Sequence, residues 1–130
     1  MARHIAYEVA GELVCDGGGR DVRCHVARSF ADRLVGLIGQ REVPPGRLMA
    51  FPRCTSVHTF WMRVPIDVMW LSRPDADGWM AVLGIVDSLP PGRVAAGPRG
   101  TWCTAEARAG TMGTLGPGRL RVDGIGGDAL

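Results

Sequence analysis

The chain contains no lysine. Its 15 basic residues are all arginine, stand against 13 acidic ones and are scattered over all 130 positions. No segment gathers a basic stripe, so the electrostatic footprint that nucleic-acid binding requires is missing, and no nucleic-acid partner is expected. The arginine bias, with abundant Gly, Ala and Val, matches coding rich in G and C rather than a mechanism. There is no Cys-x-x-Cys pair: Cys15, Cys24, Cys54 and Cys103 stand far apart, with no Cys/His grouping at zinc-ligand spacing. No metal and no other cofactor is therefore implied. The even count permits disulfides, yet a core of this size does not need them, and free thiols in a cytoplasmic protein are the expectation. No apolar run approaches the length of a membrane span, and MARHIAYEVAGELV carries polar and acidic residues where a signal peptide needs an unbroken apolar stretch. A leader already removed would leave the same sequence. No Gly-x-Ser-x-Gly elbow, local Cys/His signature or phosphate loop is present either, and GIGGD near the end reads as tail.

What the chain does have is apolar content, 46% of its residues, at a length typical of one domain spanning 1–130 with a single core. Residues 5–14 and 22–26, joined by the glycine-rich stretch Asp16 to Arg20, read as a hairpin. Residues 29–39 (SFADRLVGLIG) read as a helix. Ser29 and Asp32 would cap its start, Phe30, Leu34, Leu37 and Ile38 form one apolar stripe, and Gly39 suits a left-handed exit. Gly36 lowers helix propensity by roughly 1 kcal/mol, which suggests close approach of another backbone.

The apolar stretch LMAF at 48–51 reads as a buried strand. Two further β-like runs, 57–62 and 66–71, meet at Pro65, which removes a ladder donor. In the second run Ile66, Val68 and Trp70 share one face and Asp67, Met69 and Leu71 the other. Asp67 is the anomaly, a carboxylate in a run that otherwise reads as fully buried. A hairpin turn at 73–78, strands at 79–86, 102–106 and 119–122, a glycine-punctuated helix or turn at 107–116 and a fraying tail at 123–130 complete the chain. The expected class is α+β, mainly antiparallel β and partly barrel-like, with one packing helix over 29–39.

The order of these motifs (ADRLVGLIGQ, LMAF, SVHTFWMRVPIDVMWL, DGWMAVLGIV, the paired prolines and TAEARAG) resembles the DUF192 family of small bacterial and archaeal proteins. The family's Thr-Phe-x-Met-Arg-x-Pro-Ile-Asp core falls on Thr59, Phe60, Met62, Arg63, Pro65, Ile66 and Asp67, and its glutamate on Glu106. The resemblance implies a mainly β, partly barrel-like domain with a helix packed on it and a cleft near the His-Thr-Phe-Trp-Met and Ile-Asp stretches. It implies no particular activity. The sequence departs from the family pattern in its longer turn, SRPDADG, and in Cys103 and Thr104, where bulkier aliphatics are common.

Two readings of the chemistry follow. In the first, a binding or accessory module holds a small molecule, glycan or peptide in a cleft formed by His58, Thr59, Trp61, Met62, Arg63, Asp67, Glu106 and Arg33. In the second, a small hydrolase uses His58, Asp67 and Glu106 as acid and base groups. The sequence favours the first and names no catalytic residue and no oligomeric state. Asp67 equally suits a structural role, accepting backbone or Arg63 hydrogen bonds at the proline corner, and a salt bridge to Asp67 or Glu106 equally suits the arginines.

Overall fold

The computed structural model describes residues 4–15, 18–29, 36–40, 42–112 and 118–126. Among these residues nine strands run in chain order: β1 (Val9–Cys15), β2 (Gly18–Val26), β3 (Arg47–Pro52), β4 (Ser56–His58), β5 (Ile66–Ser72), β6 (Met80–Leu89), β7 (Val94–Ala96), β8 (Thr101–Arg108) and β9 (Gly118–Val122). Seven of them close a barrel in the order β1-β2-β3-β8-β5-β6-β9, and β4 pairs with β7 as a separate two-stranded sheet. Every barrel pairing is antiparallel except β2 with β3.

The alternation of side chains splits the apolar residues into two cores. Leu13, Val22, Leu48, Met69, Leu71 and Leu120 fill the barrel interior. Met49, Phe51, Ile66, Val68 and Trp70 point outward from β3 and β5 and form a second core. It is covered by Ala27, Leu37 and Val43 of the β2–β3 connection and, from the small sheet, by Val57 and Ala95. This is why β3 and β5 read as apolar on both faces: each is a wall between two cores.

The α+β expectation is corrected, since the described residues contain no helix. Of the segment expected to be helical, residues 30–35 lie outside the described residues, and 36–39 form a turn in which Gly36 (φ 51°) and Gly39 (φ 83°) both take left-handed conformations. A right-handed helix cannot run through Gly36 at that angle. The close approach inferred there is to side chains: a Cβ on Gly36 would lie 3.2 Å from the Phe51 ring and 3.6 Å from the Glu106 carboxyl. Leu37 and Ile38 thus pack on the outer face of the barrel from within this turn.

Smaller differences have local causes. The run 57–62 is strand only over β4, because a turn over Phe60 and Trp61 ends it. Strand β7, hidden between prolines and glycines, pairs Val94 with His58 and Ala96 with Ser56. Residues 109–112 turn rather than coil into a helix, and 113–117 lie outside the described residues, as do Asp16 and Gly17 of the first turn. The tail does not fray at once: Ile125 is buried in the barrel core. None of the four cysteines is joined in a disulfide, and burial pushes the Cys24 thiol up to about 11.

Candidate functional site

Asp67 and Glu106, the two buried carboxyls among the described residues, face opposite sides of the same sheet. In the β5–β8 register Asp67 stands beside Ala107 and Val68 beside Glu106. Asp67 therefore shares the barrel interior with Met69 and Leu71, while Glu106 lies on the outer face with Val68. Asp67 is fully buried, and both its oxygens are taken by backbone donors: the Ser88 amide at 2.8 Å and the Met112 amide at 2.7 Å. The Ser88 contact coincides with a register shift, in which Ile66 pairs with Leu89 and Val68 with Val86, and Ser88 adopts a φ of 53°. Asp67 thus pins a β-bulge of β6 and the turn after β8 to one end of β5. His58 is exposed on the other side of the sheet, so the two groups are not placed for a proton relay.

Glu106 is built differently. It is 6% exposed, no described residue donates to its carboxyl, and burial alone pushes it up to about 8 from an ordinary value of 4.5. The group lines a cleft of about 80 Å³ together with Gly36, Leu37, Ile38, Phe51, Cys54, Ser56, Val57, His58 and Met62. That space holds a side chain or a few waters and is too small for a drug-sized ligand. A larger hollow of about 360 Å³ opens at one end of the barrel, but its charged side chains, Arg20, Asp21 and Arg108, are solvent-exposed and no buried charge lines it. The Glu106 cleft is the candidate site because a buried carboxyl that no described donor engages is costly and needs a reason.

The rim of the cleft is the turn after β4. Thr59, fully buried, fixes that turn: its hydroxyl donates to the Pro90 carbonyl (2.6 Å) and accepts from the Arg93 amide (2.8 Å). Its backbone adds the bonds Thr59 N–H to Arg93 O, Gly92 N–H to Thr59 O and Met62 N–H to Thr59 O. Met62 turns inward to line the cleft while Phe60 and Trp61 turn outward, 42% and 77% exposed, with Trp61 at a φ of 65°. A left-handed tryptophan costs about 1–2 kcal/mol. His58 stacks on Phe60 (5.4 Å between centroids) and meets Trp61 edge-on (6.3 Å), and exposed Val94 lies opposite His58 across the small sheet.

Of the residues named from the sequence, the structure brings His58, Met62 and Glu106 to one cleft, with Thr59 and Trp61 in the turn that forms its rim. Asp67 lies apart in the barrel interior, Arg63 is exposed and outside the cleft lining, and Arg33 lies outside the described residues. The candidates did not include Phe60, Phe51, Cys54, Val57, Leu37 or Ile38. Phe60 had a signal, the Phe-Trp pair directly before an inward Met. The rest come from three separated stretches that carry only the mark of core residues. Among the described residues no three His, Cys, Asp or Glu side chains gather as a metal site, and no helix is long and apolar enough to cross a membrane.

A closed seven-stranded barrel with a second core on its outer face and one acidic cleft under that cover is the class that fold and site define. The family model DUF192, described as an uncharacterized ACR, matches residues 13–117, and the chain belongs to that family. No curated protein matches the chain. Two crystal structures share its fold. One is a proposed transcription regulator from Sinorhizobium meliloti 1021 (TM-score 0.76, 20% identity, 95% of this chain and 100% of that one). The other is a protein of unknown function from Novosphingobium aromaticivorans DSM 12444 (TM-score 0.72, 18% identity, 88% and 84%). At these identities the likeness extends to the fold alone.

Proposed function

We propose that this protein is a non-enzymatic peptide-binding module, in which the Glu106 cleft takes one side chain and the His58–Phe60–Trp61 surface holds the flanking residues. The observation that carries this reading is Trp61, fixed outward in a strained conformation by a buried threonine, at the rim of a side-chain-sized cleft. Rigid exposed aromatics are what binding surfaces use, because they give contact area with little entropy to lose. A peptide suits the cleft better than a glycan, since Leu37, Ile38, Phe51, Val57 and Met62 make walls for an aliphatic stem and offer few groups to sugar hydroxyls. Hydrolysis by paired carboxylates has no support in this geometry, with Asp67 and Glu106 on opposite faces.

The test is Trp61→Gly with a pooled hexapeptide library followed by ¹H–¹⁵N NMR. Glycine relieves the left-handed strain, so the variant should unfold within about 1 kcal/mol of the parent or above it. Library-induced shifts at Met62 and His58 should at the same time disappear. A library that never moves the Trp61 indole N–H, or a variant that binds as before, refutes the proposal.

A further inference from the structure

The lining of the cleft is mixed in chemistry, and the mixture selects an occupant. Most of the lining is aliphatic, aromatic or thioether, with Cys54, Ser56 and His58 as its polar members, and among them stands one carboxyl that no described donor engages. From β3 the neighbours of Glu106 are Met49 and Phe51, from β5 Val68, and from the β2–β3 connection Leu37 and Ile38, none of them ionisable. The remaining titratable groups of the lining are His58 of β4 and Cys54, whose thiol donates to the Ser56 carbonyl at 3.1 Å. No described basic side chain lines the cleft apart from His58, so among the described residues an anionic group would find no arginine. A cation would find an acceptor that the fold shields from most of the solvent, and apolar walls to receive its stem.

Resting on the peptide-binding reading, we propose that the cleft selects a basic side chain, lysine or arginine, with its aliphatic stem along Ile38, Val57 and Met62 and its cationic head on the Glu106 carboxyl. The proton balance is then defined. In the empty cleft Glu106, pushed up to about 8, holds its proton at neutral pH, and forming the ion pair sends that proton to the buffer. At pH 7 about 0.9 proton leaves per peptide bound, and apparent affinity rises about fivefold from pH 7 to 8 and about tenfold from pH 7 to 9. That window lies below the ordinary ionisation range of a lysine ligand.

The experiment titrates blocked alanine pentapeptides with a central lysine, arginine, norleucine or glutamate onto the full chain and onto Glu106→Gln. Binding is read by NMR, and by calorimetry in two buffers of different ionisation enthalpy. Lysine or arginine should bind at least tenfold tighter than norleucine, glutamate should not bind, and proton release should appear at pH 7. Glu106→Gln should reduce the basic peptides to the norleucine level and abolish both the proton release and the rise above pH 7. Norleucine binding as tightly as lysine while moving Trp61 and Met62 overturns the cation selection and leaves the peptide reading standing. The same follows if glutamate binds best, or if the glutamine variant keeps the lysine preference. Silence from all four peptides at millimolar concentration overturns both.

Discussion

Glu106→Gln should make this protein more stable, and by an amount that depends on pH in a fixed direction. The parent carboxyl sits 6% exposed on the outer face of β8 with no hydrogen-bond donor among the described residues, and burial holds its proton until about pH 8 instead of 4.5. Below pH 4.5 folded and unfolded chains both carry that proton, so the site contributes no pH dependence. Above it the unfolded chain releases its proton while the folded chain keeps it, and stability drains away until the folded group also ionises near pH 8. Each pH unit in that window is worth 1.36 kcal/mol, so the parent has lost about 3 kcal/mol by pH 7 and about 5 kcal/mol beyond pH 8. That is a large part of the total stability of a domain this size. Glutamine keeps the shape and cannot ionise. Urea unfolding of both proteins at pH 4.5, 5.5, 7 and 8.5 should give midpoints that nearly coincide at the lowest pH and separate steadily in favour of the variant. A constant difference across the series, or a gain for the parent as pH rises, would refute the burial of this carboxyl away from any described donor.

Two further predictions address the frame. Asp67→Asn presents an NH₂ where the carboxylate accepted from Ser88 or Met112, setting donor against donor. It should cost about 2–3 kcal/mol in urea unfolding without altering peptide-induced shifts at Trp61. An unchanged midpoint would mean that Asp67 does not hold the bulge. Gly118→Ala drives a Cβ into the Val14 carbonyl across the β1–β9 seam. A loss of about 1–3 kcal/mol is expected, and a neutral result would show that the seam gives way.

The sequence revealed strands wherever one strand carried its own signal. Apolar LMAF and IDVMWL gave β3 and β5 because residues facing two cores leave no polar alternation to misread. The segment around Leu37 and Ile38 misled for a related reason. A 3.6-residue stripe reports that residues are buried on one side, and the left-handed Gly36 that breaks the turn there has the same letter as a helical glycine would. Thr59, Met62 and Glu106 were legible through the family pattern. Asp67 was visible as an anomaly, but whether a buried carboxylate reacts or holds a bulge depends on which face of the sheet it shares, and one strand read alone does not say. The cleft walls were illegible, since Phe51, Cys54, Val57 and Ile38 meet only after the β2–β3 connection crosses the barrel.

That connection follows from arithmetic. In a closed ring of strands, neighbours can alternate in direction all the way round only if their number is even. Seven is odd, so at least one adjacent pair must run the same way, and here it is β2 and β3. A parallel pair cannot be joined by a tight hairpin; the chain has to travel back along the barrel before the next strand begins. The return path between Val26 and Arg47 is therefore a closure requirement of the barrel, and it is also what roofs the outer core and supplies Leu37 and Ile38 to the cleft. Changes of length or sequence in this return path can reshape the cleft while the strand register stays as it is, so cleft shape and closure are separable in this fold.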